Sequence, residues 1–228
     1  MSLHSGHRQR MRERFLNCGL SDFEKHEVLE LLLYYCIPRV NTNELAHRLI
    51  GRFKTIARVL QATPDELMSV EGIGESTATY LALLNETIRY VGVERSMEME
   101  VLNTAEAYVA YLKNLFLGMS TEAVYMLCLD AKQAVIGHYL LSEGTVTSAN
   151  IPTRTLLSKA LSTNAVYVIL AHNHPGGLPL PSKEDEEVTV HIASLLRAAD
   201  VTLLDHVIVS DSNHISMNSR SVFMDREY

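Results

Sequence analysis

The residues best suited to chemistry lie in one short stretch in the second half of the chain. His172 and His174 are separated by one residue at the end of an apolar segment, and Ser182 and Asp185 follow shortly after. Side chains two residues apart in an extended chain point to the same side, so both imidazoles can reach one ion. Two neutral imidazoles and a carboxylate supply the three protein ligands of a catalytic zinc site. The spacing therefore predicts a Zn²⁺ site formed by His172, His174 and Asp185.

The loop between His174 and Ser182 contains three of the chain's six prolines and two adjacent glycines. Prolines stiffen the loop and glycines let it turn tightly, so the start of a helix can meet the end of a strand. Ser182 and Asp185 also form a Ser-x-x-Asp pattern, which is typical of a capped helix start. The alternative interpretation makes Ser182 a cap, Asp185 its partner and the two histidines polar residues at a strand end.

The elements that must position these residues change in character along the chain. Residues 1–95 show the periodicity and capping signals of helices, including a capping box at Thr63-Pro64-Asp65-Glu66. After a predicted linker at residues 96–101, helices and strands alternate through residues 102–228. The sequence therefore predicts an α+β protein with an N-terminal helical domain, residues 1–95, and a C-terminal α/β domain, residues 102–228. The predicted helices span residues 23–35, 43–53, 75–88, 104–116, 153–162 and 185–199, and the predicted strands span 123–129, 134–141, 165–171, 201–204 and 207–209.

A glycine turn, Gly72-Ile73-Gly74, separates two predicted helices in the N-terminal domain. The glycines permit close approach of another backbone, and the N–H groups at the start of the second helix can hold a phosphate. The pattern resembles a helix-hairpin-helix element, which in its family grips DNA backbones without reading the base sequence. Glu71 and Glu75 flank the turn and would repel phosphate. The alternative is that the hairpin packs as part of a small helical domain.

The charge of the chain is distributed unevenly. Residues 1–95 contain 12 Lys and Arg and 12 Asp and Glu, whereas residues 96–228 contain 8 and 15 and so carry the whole net charge of −7. The first residues include four arginines, which could contact phosphates or form a solvated helix start: Arg8, Arg10, Arg12 and Arg14. We expect at most weak DNA contact, made through the N-terminal half.

Other features of the sequence indicate a cytoplasmic protein that does not enter a membrane. No stretch approaches the ~20 apolar residues that span a bilayer, and the first residues do not form a signal peptide. Three well separated cysteines, Cys18, Cys36 and Cys128, fit a reducing compartment. A homo-oligomer is compatible with the sequence.

The pattern His-x-His-x7-Ser-x2-Asp at residues 172–185 resembles the signature of the JAMM, or MPN-plus, metalloprotease fold. The wider segments LAHNHPGGLPLPSKEDEEVT and LLDHVIV resemble the bacterial RadC family. That family joins an N-terminal helix-hairpin-helix region to a C-terminal JAMM-type domain, and both parts occur here in that order. The resemblance implies a cytidine-deaminase-like JAMM/MPN fold for the C-terminal domain.

The resemblance also implies a function, namely zinc-dependent hydrolysis of an amide or isopeptide bond in a protein or peptide. A Glu near the first strand of such a domain acts as general base, and Glu122 matches best, with Glu143 as the rival. Ser182 is expected to hydrogen-bond the developing oxyanion. His206, in a late strand, is interpreted as a core residue rather than a ligand.

Two alternative functions stay open from the sequence. The family's name comes from DNA repair, so the chain could be a DNA-binding repair-associated protein or a metal-dependent nuclease acting on branched or single-stranded DNA. A metal-free binding module is the third interpretation, and the intact set of ligands speaks against it.

Overall fold

The computed structural model describes residues 3–38, 40–97, 101–144 and 151–218. The chain divides into two compact units, Met1–Ile88 and Arg89–Tyr228. The helices are α1 (Leu3–Cys18), α2 (Lys25–Cys36), α3 (Asn43–Phe53), α4 (Ile56–Gln61), α5 (Pro64–Met68), α6 (Glu75–Met97), α7 (Ala105–Phe116), α8 (Thr153–Ser162) and α9 (Lys183–Arg197). The strands are β1 (Ala123–Leu129), β2 (Val135–Glu143), β3 (Tyr167–His174), β4 (Thr202–Ser210) and β5 (His214–Ser216). None of the helices in the described ranges is long and apolar enough to cross a membrane. The predicted α+β fold class is confirmed.

The first unit is built from helices that share one apolar core. Its buried side chains come from α2 to α6 and from the turns between them: Leu29, Leu33, Leu45, Leu49, Val59, Leu67, Val70, Ile73, Ala78 and Leu81. The predicted capping box is confirmed, since the Thr63 side chain accepts from the Glu66 backbone and the Glu66 side chain accepts from the Thr63 backbone. In the glycine turn, Gly72 has a φ of 95°, which favours glycine, and Ile73 is buried in the core.

Arginines of α1 contact other parts of the same unit. The Arg8 guanidinium donates to the backbone carbonyls of Ile37, Pro38 and Val40. Arg14 forms a bidentate ion pair with Glu27, in which both N–O distances are 2.9 Å. These two arginines therefore help to hold α1 in place.

In the described part of the second unit, five strands form one sheet with helices on both faces. The strand order is β2-β1-β3-β4-β5; β3 and β4 are parallel, and the other neighbouring pairs are antiparallel. Helix α7 packs on one face, against odd-numbered residues of β1 such as Tyr125 and Leu127. Helices α8 and α9 pack on the other face, against even-numbered residues such as Val124 and Met126. Because both faces are covered, β1 is buried along its whole length.

A one-residue irregularity in β4 changes which face its side chains point to. Val168 of β3 pairs with Leu203, but the next residue, Ile169, pairs with Asp205, so Leu204 is an extra residue. As a result Asp205 points to the α7 face, where the Tyr108 hydroxyl donates to it at 2.8 Å. His206 points to the opposite face, where it contacts His172.

Several element boundaries differ from the predicted ones: β3 continues to His174 rather than ending at residue 171, and two further differences are larger. The two short strands predicted at 201–204 and 207–209 form the single strand β4, because Asp205 and His206 interrupt the apolar pattern without interrupting the strand. The helix predicted to end at residue 88 continues to Met97. Residues 98–100 of the predicted linker at 96–101 lie outside the described residues.

Asn173 joins the start of β1 to the end of β3. Its side-chain oxygen accepts from the Ala123 N–H at 2.7 Å, and its amide nitrogen donates to the Thr121 carbonyl at 3.0 Å. Asn173 is buried, and it points away from the face occupied by its neighbours His172 and His174. This side chain therefore holds the segment that leads into β1 beside the two histidines.

We expect Asn173→Ala to lower the free energy of unfolding by about 1–3 kcal/mol, because it leaves the buried Ala123 N–H without its acceptor. Chemical denaturation of the two purified proteins measures the difference. Asn213→Ala is the matched control, since the Asn213 side chain is exposed. An equal loss of stability in both variants would contradict the anchoring role.

Candidate metal centre

Three potential metal ligands converge at the end of β3 and the start of α9. His172 and His174 lie at the end of β3, and Asp185 lies in the first turn of α9. Their ligand atoms all lie within 4.8 Å of one another. The two Nε2 atoms are 3.0 Å apart, and the His172 Nε2 is 3.6 Å from Asp185 Oδ1. The structure thus brings together the three residues that the sequence predicts as ligands.

The Asp185 carboxylate serves the helix and the cluster at the same time. Its Oδ2 accepts from the backbone N–H of Ser182 at 2.8 Å and from the Ser182 hydroxyl at 2.7 Å. The Ser182 hydroxyl in turn accepts from the Asp185 N–H, which completes a capping box. The other oxygen, Oδ1, faces His172. The predicted cap is therefore present, and it leaves one Asp185 oxygen available to a metal.

The protonation of the cluster suits a cation. The His174 Nδ1 lies 2.9 Å from the Leu178 carbonyl, which can only accept, so in the neutral form of this ring Nδ1 carries the proton and Nε2 has a lone pair. Burial lowers the pKa of His172 to about 4, so this ring is neutral at pH 7 and does not form an ion pair with Asp185.

Asp185 is ionised under the same conditions. Burial opposes its ionisation, but the charge that His172 carries at the low pH where the carboxyl titrates, together with the hydrogen bonds from Ser182, outweighs that effect and holds the pKa of the carboxyl below its usual range. Two imidazole nitrogens and one carboxylate oxygen form a donor set that fits a divalent metal such as zinc.

Glu122 lies immediately before β1 and is half-buried. By the alternation of β1 it shares a face with Val124, and Val124 pairs directly with His172. This is the face of the sheet on which the three potential ligands lie. The ligand atoms that lie within 4.8 Å of one another belong to His172, His174 and Asp185, and Glu122 is not in this group. Its position therefore suits a role beside the cluster rather than within it.

The rival carboxylate, Glu143, has a different environment. It pairs with Ala123, whose side chain belongs to the core on the α7 face. Its Oε1 accepts from the Thr121 hydroxyl at 3.1 Å. The register therefore favours Glu122 over Glu143 for contact with the histidine side of the sheet.

The cluster has neighbours that the sequence did not identify as functional. The His206 Nε2 lies 2.8 Å from the His172 Nδ1, and the Thr189 hydroxyl lies 2.5 Å from the His206 Nδ1. Thr189 comes one helical turn after Asp185, and this i+4 spacing is the signal that could have found it. Gly72, Ile73 and Gly74 belong to the first unit and are not part of the cluster.

We expect the metal-free protein to lose stability as the pH falls from about 6.5, the ordinary histidine pKa in an unfolded chain, towards 4. Burial lowers the pKa of His172 to about 4 and that of His206 to about 3. Between these values the unfolded chain binds more protons than the folded one, so the free energy of unfolding decreases with decreasing pH. His172 alone should contribute on the order of 3 kcal/mol across the window.

Thermal unfolding in the presence of a chelator, at several pH values, measures this slope. His172→Gln should make the slope shallower, because it removes one group that takes up a proton on unfolding. The exposed residue His191 of the same unit supplies the control, His191→Gln, which should leave the slope unchanged. Identical slopes in all three proteins would refute the expectation.

Comparison with known proteins gives matches along almost the whole chain. The RadC-like JAB domain family matches residues 102–222, and the UPF0758 N-terminal family matches residues 4–79. A UPF0758 protein of Fusobacterium nucleatum subsp. nucleatum is 35% identical over 218 residues, which cover 92% of this chain and 94% of the relative. A UPF0758 protein of Ruegeria pomeroyi is 34% identical over 213 residues, which cover 93% of this chain and 95% of the relative.

These matches confirm the resemblance to the RadC family. They support a JAMM-like metal-dependent hydrolase at the level of the family, and the mixed sheet with helices on both faces is consistent with a JAB/MPN-like domain. The chain belongs to the RadC-like JAB domain family.

Proposed function

We propose that the protein is a zinc-dependent hydrolase that cleaves an amide or isopeptide bond in a protein or peptide. The observation that carries the proposal is the convergence of His172 Nε2, His174 Nε2 and Asp185 Oδ1 on one face of the sheet. These three atoms would hold Zn²⁺. When bound in such a site, zinc lowers the pKa of a water molecule and polarises a carbonyl group.

Glu122 is the proposed general base. Its carboxylate would take a proton from the attacking water and deliver it to the nitrogen of the leaving amine. The position of Glu122 before β1, on the face that carries the histidines, supports this role. Asn173 contributes indirectly, since it holds both the residue before and the residue after Glu122.

Ser182 is the proposed donor to the oxyanion that develops on the substrate carbonyl. Its hydroxyl donates to Asp185 Oδ2 in this structure, so the hydroxyl proton has to turn from Asp185 towards the substrate. Asp185 then keeps the hydrogen bond from the Ser182 backbone N–H, which maintains the helix cap during the reaction.

A DNA contact by the N-terminal half stays a prediction of the sequence. Arg8 and Arg14 of the basic segment are engaged with carbonyls and a carboxylate of their own unit, which leaves fewer cations for phosphates. No contact among the described residues favours phosphodiester cleavage over amide cleavage.

We expect the purified protein to contain about one zinc ion per chain and the variant His172→Ala/His174→Ala to contain none. Elemental mass spectrometry after dialysis measures the metal content of both. His191→Ala is the control, because it removes an exposed histidine of the same unit. A wild-type protein that contains no metal even after incubation with zinc would rule out the proposed centre.

We expect Glu122→Gln to retain the metal and to lose about 10²–10⁴-fold in hydrolysis rate, because an amide cannot accept the proton. The rate is measured on a panel of fluorogenic peptide amides and Lys-linked isopeptides. Glu143→Gln is the matched control and should hydrolyse at the wild-type rate. Loss of activity in Glu143→Gln with full activity in Glu122→Gln would reverse the assignment of the base.

A further inference from the structure

Two buried polar side chains beside the cluster, Thr189 and His206, have no role in the proposed hydrolysis. Thr189 and His206 are almost completely excluded from solvent, and both lie on the α9 face of the sheet. His206 points to this face because Leu204 is an extra residue in β4. Thr189 follows Asp185 by one turn of α9, and its side chain lies between Asp185 and His206. Together they form a continuous path of hydrogen bonds that ends on a potential ligand.

The direction of each hydrogen bond in this path follows from the backbone carbonyl at which the path begins. The Thr189 hydroxyl lies 2.6 Å from the backbone carbonyl of Asp185, and a carbonyl can only accept. Thr189 has one hydroxyl proton, and the hydroxyl therefore donates it to the backbone carbonyl of Asp185. The Met217 sulfur, at 3.7 Å, is a more distant and weaker acceptor.

The protons on the two histidines are then determined in turn. At 2.5 Å from the Thr189 hydroxyl oxygen, the His206 Nδ1 has to donate, so the proton of this neutral ring is on Nδ1 and its Nε2 has a lone pair. That Nε2 accepts from the His172 Nδ1 at 2.8 Å. The neutral His172 ring therefore presents an unprotonated Nε2 to His174 and Asp185.

As a consequence, the lone pairs of the two histidine Nε2 atoms and of an Asp185 carboxylate oxygen face one another. The neutral form of His174 also presents an unprotonated Nε2, because its Nδ1 donates to the Leu178 carbonyl. Two lone pairs separated by 3.0 Å, next to a carboxylate oxygen, repel one another unless a cation lies among them. The path of hydrogen bonds thus imposes the tautomer that a metal requires and excludes the one in which His172 Nε2 carries a proton.

We propose that Thr189 and His206 are positioning residues that fix the His172 tautomer and ring orientation for metal binding. The path starts at the Asp185 carbonyl and ends at the nitrogen that faces the Asp185 carboxylate, so it couples the ligand on β3 to the ligand on α9. This proposal rests on the metal centre of the proposed function, but it does not depend on which bond is hydrolysed.

We expect Thr189→Val to weaken zinc binding by about 10-fold, the lower end of the usual effect of losing a hydrogen-bond partner of a metal ligand, because Thr189 acts on His172 through His206. Valine has the shape of threonine but cannot accept from His206, so the His206 ring is free to change its tautomer. Thr189→Ser keeps the hydroxyl and should bind zinc within a few-fold of the wild type. Affinity is measured on the full-length, metal-free protein by competition with a chromophoric chelator, with zinc alone as the probe.

Thr163→Val is the matched control. The Thr163 hydroxyl also donates to a carbonyl four residues earlier, that of Lys159, but it does not contact a histidine of the cluster. If loss of the hydroxyl-to-carbonyl hydrogen bond alone weakened zinc binding, both valine variants would bind zinc more weakly. If Thr189 positions the histidines, only Thr189→Val will bind zinc more weakly. Zinc affinities that are equal in Thr189→Val and the wild type would overturn the proposal.

A second measurement tests the tautomers without any variant. Long-range ¹H–¹⁵N correlation spectra of the metal-free wild type distinguish protonated from unprotonated ring nitrogens, and we expect a proton on Nδ1 of both His172 and His206. A proton on Nε2 of His172 would overturn the proposal. A wild type that does not bind zinc would overturn it together with the proposed function, whereas zinc binding with the expected tautomers but without hydrolysis would refute only the function.

Discussion

The two oxygens of the Asp185 carboxylate face different partners, and this division makes Asp185 both a helix cap and a potential metal ligand. Oδ2 closes the capping box with Ser182, which sets the residue at which the helix begins. Oδ1 faces His172 at the end of β3, so the start of the helix presents this oxygen to the end of the strand. A carboxylate at the third position of a helix can do both, because the cap uses only one of its oxygens. The capping interpretation and the ligand interpretation of Ser182-x-x-Asp185 are thus two aspects of one arrangement.

Much of the C-terminal unit could be predicted because its local signals agree with its tertiary environment. Strand β1 and helix α8 have the predicted bounds, residues 123–129 and 153–162, since an uninterrupted apolar run and a regular apolar periodicity identify them. The convergence of His172, His174 and Asp185 could be predicted for the same reason, because the extended backbone and the stiff loop are local properties.

Other features depend on contacts that a local pattern does not contain. Glycine weakens a helix, yet Gly92 lies inside α6, where a β-carbon at this position would come within 3.0 Å of the Asn114 side chain. The glycine therefore allows α7 to approach α6 closely. Similarly, the extra residue Leu204 shifts the alternation of β4, and only the pairing with β3 shows that His206 faces His172. In the sequence Thr189 is marked only by its i+4 spacing from Asp185, and its role depends on His206, the partner that the fold brings to it.

The proline-rich loop that follows β3 has a consequence for the entropy of metal binding. Its backbone supplies the Leu178 carbonyl that orients the His174 ring, and three of its seven residues, Pro175, Pro179 and Pro181, have a restricted φ before the chain folds. Gly176, with a φ of 67°, supplies the one turn that such a stiff segment needs. The three prolines thus reduce the conformational entropy that the loop loses when the chain folds. A cost of ordering that folding has already met would not reduce the affinity of the proposed centre for an ion.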